Sequence, residues 1–197
     1  MVKIGLLTRS YISGVFIVIL SHLFCSCNSL DKRNERHSSR AQFESFYNKE
    51  ISIPVELLFL NLQTDRDVES DDLFKKRPCI ISIIDADCDV CVAKLADWKQ
   101  FLSVSGDIKV EDLFLILQTA NPKYFVDRYK SILNTDLNLI LDSGYTLVRS
   151  NQIPGEQNFR TFLLDNNNRI KLLGDPTKSP RLTNLYNETF KKLKNEN

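Results

Sequence analysis

An apolar strand pattern that ends beside two closely spaced cysteines limits the possible folds of this chain more than any other segment. Residues 79–86 form a short apolar run rich in isoleucine, which is typical of a strand buried on both faces of a sheet. Cys88 and Cys91 follow at once, and apolar residues then recur at helical spacing through residue 104. The pattern predicts a buried strand that leads into a helix, with both thiols at the junction.

Strand and helix patterns keep alternating after this junction. Further buried strands are predicted at 113–117 and 137–141. Between them, Asn121 followed by Pro122 predicts a helix start, because asparagine caps the first turn and proline suits its first position. Alternation of this kind predicts parallel strands joined by right-handed helical crossovers.

The C-terminal part of the chain predicts a different connection. Residues 162–164 and 170–173 flank a turn rich in asparagine, which predicts a hairpin. Ser179 and Pro180 then predict the start of a last amphipathic helix. The whole order predicts an α/β fold whose mixed sheet has an antiparallel edge.

The position of the cysteine pair favours redox chemistry. At a helix N-terminus, the Cys88 thiol faces unpaired backbone N–H groups and the positive end of the helix dipole, and both favour the thiolate. The thiolate is the attacking species in disulfide exchange, and Cys91, one turn further on, can resolve a mixed disulfide. A C-x-x-C motif beside a βαβ pattern therefore indicates a thiol-disulfide site.

On these residues the sequence resembles the thioredoxin superfamily, and in plan the membrane-tethered thioredoxin-like thiol-disulfide proteins of the bacterial envelope. The resemblance covers residues 78–194 and rests on the Cys88/Cys91 junction, the following helix with Trp98, and residues 161–165 before the hairpin turn. It implies a thioredoxin-like three-layer sandwich with a mixed, mainly parallel sheet and a C-terminal hairpin plus helix. It also implies that Cys88 is the nucleophile and Cys91 the resolving thiol.

The sequence departs from this family at several site positions. Asp87 stands where the family has an aromatic residue, and Asp89 begins the pair of residues between the cysteines, where proline is frequent. The family's cis-proline aligns with Phe159 or Arg160, and its buried acid falls near Ser82. In this family the cis-proline helps to bind substrate peptides. The departures therefore affect the expected mode of substrate binding most.

Three acids surround the cysteine pair: Asp85, Asp87 and Asp89. Negative charges disfavour a neighbouring thiolate, and a less stabilised thiolate accompanies a more reducing couple. The sequence therefore predicts a potential that is reductant-leaning or like that of an isomerase. The alternative is that the acids are solvated helix-start residues, with Asp87 as the N-cap.

Composition excludes several other classes of function. The two histidines, His22 and His37, lie before the predicted domain, so no imidazole base serves a hydrolase triad and no histidine serves a metal site. We expect no metal and no cofactor. The chain carries 26 basic and 25 acidic residues, which gives no reason to expect binding to nucleic acid. Cys79 is predicted to be a small core residue.

Residues 1–27 predict a signal peptide with a lipoprotein box. Lys3 and Arg9 precede an apolar run of about 14 residues, which is shorter than the roughly 20 residues of a spanning helix. The run ends at Ser26 and Cys27, which resembles the site where bacterial lipoproteins are lipidated. We expect a lipid anchor at Cys27 that holds the protein to a membrane of the cell envelope, facing the periplasm. A plain cleaved signal is the alternative.

Three segments follow the leader. Residues 28–40 are polar and predict a flexible tether. Residues 41–77 predict an N-terminal extension that packs on the core, with a short helix at 41–50 and an edge strand or irregular segment at 51–63. Residues 78–197 predict the thioredoxin-like domain.

The sequence as a whole predicts an envelope thiol-disulfide oxidoreductase. Its partner would be a disulfide-containing envelope protein or a redox partner, and Cys88 and Cys91 would carry the exchange. Tyr124, Arg128 and Tyr129 are interpreted as part of an ordinary amphipathic helix. The alternative function is a redox-inactive thioredoxin-like scaffold that binds an envelope partner.

Overall fold

The computed structural model describes residues 41–54, 57–60, 74, 77–129 and 135–196. The chain divides into two compact units, residues 1–45 and 46–197. Residues 41–46 are helical, which covers the first part of the short helix predicted at 41–50. The predicted signal peptide, the lipoprotein box with Cys27 and the tether lie outside the described residues.

Within the described part of the second unit, six strands form one sheet. They are β1 (Leu58–Leu60), β2 (Cys79–Asp85), β3 (Leu113–Gln118), β4 (Asn138–Asp142), β5 (Thr161–Leu164) and β6 (Ile170–Leu173). Their order across the sheet is β1-β4-β3-β2-β5-β6. The strands predicted at 79–86, 113–117, 137–141, 162–164 and 170–173 are thus confirmed, and the edge strand expected within 51–63 is β1.

The sheet is mixed, as predicted. β2, β3 and β4 run parallel to one another, with β2 paired to β3 and β3 to β4. β5 runs antiparallel to both β2 and β6, and β1 runs antiparallel to β4. β2 and β3 are apolar along nearly their whole length because helices or loops cover both faces of these central strands.

Segments near the start of the unit pair with strands on both sides of the sheet. β1 follows the outer edge of β4. At the other side, the backbone N–H of Asn48 donates to the carbonyl of Ile170 at 2.8 Å, and that of Ile170 donates to the carbonyl of Lys49 at 3.0 Å. Residues 48–51 therefore lie along β6.

Five α-helices are described in this unit besides the end of the 41–46 segment. They are α1 (Asp89–Ala93), α2 (Leu95–Val104), α3 (Pro122–Tyr129), α4 (Thr146–Asn151) and α5 (Pro180–Asn195). Of the described helices, none combines the length and the apolar character that a bilayer crossing requires.

The helix pattern that follows the cysteines is divided at Lys94. The Lys94 backbone N–H donates to the carbonyl of Cys91, three residues back, at 3.2 Å. This tighter turn ends α1, and α2 starts at Leu95. Leu95, Trp98 and Phe101 of α2 are then buried against the sheet.

Two apolar clusters cover the two faces of the sheet. Neighbouring residues of a strand point to opposite faces, so Ile80 joins one cluster and Ile81 the other. The first cluster holds side chains of α1, α2, α3 and α5, among them Trp98, Phe125, Tyr186 and Phe190. The second holds Leu147 of α4 together with Phe46, Ile51, Leu57 and Phe74. The sheet therefore lies between two layers, one on each face, which agrees with the predicted three-layer sandwich.

Candidate functional site

The two cysteines lie where β2 leads into α1. Cys88 is the N-cap of α1, with an extended backbone (φ −114°, ψ 110°) and a side chain that makes no capping hydrogen bond. Its carbonyl accepts from the backbone N–H groups of Cys91 at 2.9 Å and Val92 at 3.0 Å. The thiol of Cys88 is therefore free for chemistry, while its backbone starts the helix.

The thiols of Cys88 and Cys91 are both free and touch each other. The Cys91 thiol donates a hydrogen bond to the Cys88 sulfur at 2.7 Å. This hydrogen bond raises the pKa of Cys91, and burial and the negative charge of Cys88 raise it further. Cys91 therefore keeps its proton, and the Cys88 sulfur accepts the hydrogen bond. This asymmetry suits Cys88 to be the first thiol to attack a disulfide.

Asp87 links the junction to two other parts of the fold. Its carboxylate accepts hydrogen bonds from the Thr119 hydroxyl at 2.5 Å, the Ala120 backbone N–H at 3.0 Å and the Tyr145 hydroxyl at 3.5 Å. The Thr119 bond is the main cause of the lowered pKa of Asp87. The alternative in which Asp87 is the N-cap is wrong, because Cys88 occupies that position and the Asp87 carboxylate binds the loop after β3.

Tyr145 is held in place by a buried carboxylate. Its backbone is left-handed (φ 53°, ψ 32°), which is uncommon for a residue with a large side chain. Asp142, 2% exposed, accepts from the N–H and hydroxyl of Thr146, both at 2.8 Å, and from the N–H of Leu147 at 3.1 Å. These bonds fix the first turn of α4 and with it the position of Tyr145.

Asp89, between the two cysteines, is bound by α3. Its carboxylate accepts from the Tyr129 hydroxyl and from the Arg128 guanidinium, the latter at 2.7 Å. The Tyr129 bond is the main cause of the lowered pKa of Asp89, and the positive charge of Arg128 adds to it. The interpretation of α3 as an ordinary amphipathic helix is therefore incomplete, since Arg128 and Tyr129 reach the cysteine loop.

Asp85 differs from the other two acids. Its side chain is exposed and accepts one hydrogen bond, from the backbone N–H of Asp87 at 3.1 Å. Its negative charge contributes to the raised pKa of Cys91, whereas the nearby Lys94 opposes that effect. The three acids that the sequence presents as one group thus have three different environments.

Arg160 lies just before β5 and is one of the two residues, Phe159 and Arg160, with which the resemblance aligns a cis-proline. Its carbonyl accepts from the backbone N–H of Ile83 at 2.7 Å, and its guanidinium donates to the Gln118 side chain at 2.9 Å. No cis peptide bond occurs among the described residues. A positively charged side chain therefore lies beside the cysteines in this protein.

A small cavity separates Arg160 from Cys91. Its volume is about 30 Å³, and Ser82, Lys94 and Thr161 also line it, so it has room for about one water molecule. The Ser82 and Thr161 hydroxyls share a buried hydrogen bond of 2.8 Å. A neutral pair of hydroxyl groups thus lies in the wall of this cavity.

A larger groove opens beside Cys88. It has a volume of about 350 Å³, and its wall includes Asp89 and Arg128. Two of its lining side chains are highly exposed, Val90 at 75% and Tyr124 at 55%. A groove of this size next to the accessible thiol can receive a segment of another polypeptide.

The remaining thiol of the domain does not belong to the site. Cys79 starts β2 in the apolar cluster that contains Ile81, and no part of it is exposed. Burial raises its pKa to about 12, so it remains a neutral thiol. No cluster of three or more potential metal ligands occurs among the described residues.

Comparisons with known proteins identify the fold. No protein-family model matches the chain. No curated protein sequence matches it either. A candidate protein disulfide isomerase from Bacteroides thetaiotaomicron aligns over 74% of this chain and 89% of its own, with 15% identity and a TM-score of 0.52. A candidate thiol-disulfide oxidoreductase from Bacteroides vulgatus aligns over 75% and 97%, with 17% identity and a TM-score of 0.51.

These alignments establish a thioredoxin-like α/β fold with a mixed sheet and a C-terminal helix. The predicted fold class is confirmed. The fold and the site together define a thioredoxin-like protein with two neighbouring thiols at its strand-to-helix junction.

Proposed function

We propose that this protein is a thiol-disulfide oxidoreductase that acts through Cys88 and Cys91. The observation that carries the proposal is the contact between the two thiols at the β2–α1 junction, 2.7 Å apart, with Cys88 facing an open groove. The two aligned structures support the proposal through their shared fold alone, because one fold can serve many functions.

The arrangement supports a two-step exchange. The Cys88 thiolate attacks one sulfur of a substrate disulfide, which forms a mixed disulfide and releases the other sulfur as a thiolate. Cys91 then loses its proton and attacks the Cys88 sulfur, so the Cys88–Cys91 disulfide forms and the second substrate thiol leaves. The substrate gains two electrons and two protons, and the two protein thiols lose them. A dithiol donor returns the protein to its reduced state.

Two features support a reductant-leaning potential. Burial and the negative charge of Asp85 both oppose ionisation of the Cys91 thiol. A reduced form that gains little from ionisation is a better electron donor. The substrate in this proposal is a disulfide-containing protein of the cell envelope.

The test is equilibration of the full chain across glutathione ratios, with alkylated peptides mapped by mass. Cys88 and Cys91 should pass together and reversibly from dithiol to disulfide. Cys91→Ser should accumulate a mixed disulfide at Cys88 with an added substrate. The matched control is Cys79→Ala, which removes a buried thiol and should leave the cycle unchanged.

A binding scaffold is the alternative function, and Arg160 in the cis-proline position is the observation that favours it. If Cys88 and Cys91 stay in one state at every glutathione ratio, the scaffold function replaces the oxidoreductase. The domain would then use the groove beside Cys88 to bind an envelope partner without exchange.

The proposed location is the cell envelope, with a lipid anchor at Cys27. The support is the leader pattern of residues 1–27 and the small residue before Cys27. Labelling of cells with a radioactive fatty acid should mark the wild-type protein and leave Cys27→Ala unmarked, while Cys25→Ala should still be marked. Label that persists in Cys27→Ala would contradict the anchor site.

A further inference from the structure

One face of α3 holds Asp89, one of the two residues between the cysteines. Arg128 donates through Nη2 to the Asp89 carboxylate at 2.7 Å and through Nη1 to the Tyr124 hydroxyl at 2.7 Å. Its guanidinium carbon lies 5.8 Å from the ring centre of Tyr124 and 5.6 Å from that of Tyr129. Two aromatic rings and two hydrogen bonds therefore fix the position of this cation.

Arg128 is also distinctive among the charges of the site. Asp85 and Asp87 have no cation within ion-pair distance in the part of the chain that the structure describes, and the Asp87 carboxylate is bound by neutral donors. Asp89 is the carboxylate with an ion pair. Lys94 and Arg160 lie on the other side of the cysteines, where they line the small cavity next to Cys91.

We propose that Arg128 is a positioning residue that offsets the charge of Asp89 and thereby sets the proportion of Cys88 present as the reactive thiolate. This inference rests on the proposed function, because it concerns the reactivity of the attacking thiol. Asp89 directly follows Cys88 and lines the same groove, so its uncompensated charge would disfavour the Cys88 thiolate. The cation on α3 removes most of that effect.

The proposal predicts changes of opposite sign at the two ends of one ion pair. Arg128→Gln leaves the Asp89 charge uncompensated, so less Cys88 is ionised. Asp89→Asn leaves the Arg128 charge uncompensated, so more Cys88 is ionised. The double variant lacks both charges and should resemble the wild type. A purely structural role would give changes of the same sign, because both variants break the same contact.

The experiment measures the rate at which iodoacetamide alkylates Cys88 in the reduced full chain at pH 7. Iodoacetamide is neutral, so the charge of the reagent does not bias the comparison. Peptide mapping by mass spectrometry separates Cys88 from the other four of the five cysteines. We expect the rate to fall about twofold in Arg128→Gln and to rise about twofold in Asp89→Asn, the size typical of exposed charge interactions.

The matched control is the ion pair between Lys178 Nζ and Asp97 Oδ2, which are 3.0 Å apart. Its side chains have an exposure comparable to those of Arg128 and Asp89, and neither residue lines the groove beside Cys88. Lys178→Gln and Asp97→Asn should leave the rate unchanged. Arg128→Lys keeps the positive charge, so its rate of Cys88 alkylation should stay near that of the wild type. This variant separates the effect of the charge from an effect of the substitution on folding. Equal rates in all variants, or changes of one sign, would overturn the inference.

The same samples separate this inference from the proposed function. Glutathione equilibration reports whether Cys88 and Cys91 form a disulfide, and failure there contradicts the oxidoreductase alone. The alkylation rates of Arg128→Gln and Asp89→Asn could change in opposite directions although Cys88 and Cys91 never form a disulfide. That result would support the role of Arg128 and contradict the redox cycle.

Discussion

At the scale of single residues, the site depends on contacts between side chains that are far apart in the sequence. Asp87 is 32 residues from Thr119, and Asp89 is 39 residues from Arg128. Each contact turns an acid beside the cysteines into a fixed part of the site. The positions of Asp87 and Asp89 beside Cys88 are therefore set by the loop after β3 and by α3.

Thr119 offers a test of the first of these contacts. Thr119→Val removes the hydroxyl that donates to Asp87 and also accepts from the N–H of Asn121. We expect the free energy of unfolding at pH 7 to fall by roughly 1 kcal/mol. Urea denaturation measures it, and Thr119→Ser, which keeps the hydroxyl, should lose much less.

The same variant has a defined pH dependence. The folded pKa of Asp87 is lowered from its ordinary value of 3.8, so its contribution to stability is present above that value and is lost as pH falls through the folded pKa. The gap in the free energy of unfolding between wild type and Thr119→Val should therefore stay constant from pH 6 to about pH 4 and narrow below that. A gap that stays constant down to pH 3 would contradict the role of the Asp87 charge.

The sequence predicted the cysteine junction but not the contacts that surround it. Cys88 and Cys91 are adjacent to a strand and a helix, whose periodicities are local and can be recognised in the sequence. Thr119, Tyr145 and Arg128 reach the site only through packing of separate elements, and no local pattern encodes that packing. The N-cap prediction for Asp87 failed for the same reason, because its distant partners were not visible.

At the scale of elements, the start of α4 has the most important polar support. The helix is six residues long, and Tyr145 before it adopts a left-handed backbone. A helix this short does not form without outside stabilisation. Asp142 supplies it at the end of β4, and it also accepts from the Gln118 side chain at 3.4 Å.

Asp142→Ala should therefore be strongly destabilising. It leaves N–H groups of the first turn and the buried Gln118 amide without their acceptor, which costs about 2–4 kcal/mol in the free energy of unfolding. Urea denaturation provides the measurement. The matched control is Asp175→Ala, which removes a carboxylate that caps the short helix Pro176–Lys178. If the free energy of unfolding falls equally in both variants, Asp142 stabilises the protein only as much as an ordinary helix cap.

Element boundaries were predictable where turn residues mark them and were missed elsewhere. Pro122 and Pro180 start α3 and α5 as predicted. The break at Lys94 has neither proline nor glycine, because the packing of α2 on the sheet decides it. Within the amphipathic helix α5, the apolar side chain of Leu185 is 42% exposed.

At the scale of the whole molecule, the fold was predictable because its strands and helices alternate in a regular order. That order restricts the central strands to a parallel arrangement with right-handed crossovers. The paths of residues 48–54 and 57–60 were not predictable to the same degree. Their short apolar segments carry little periodicity, and their partners lie about 80 to 120 residues further along the chain.

The pairing of residues 48–51 with β6 and of β1 with β4 has a consequence for recognition. A sheet with unpaired outer strands can bind another polypeptide by backbone hydrogen bonds alone, whatever the sequence of that polypeptide. Here residues 48–51 pair at the start of β6, and β1, which is three residues long, forms the other edge of the described sheet. Each edge therefore offers another polypeptide only a short stretch of backbone, and we expect selection at the groove to depend on the side chains and the disulfide of the visiting polypeptide.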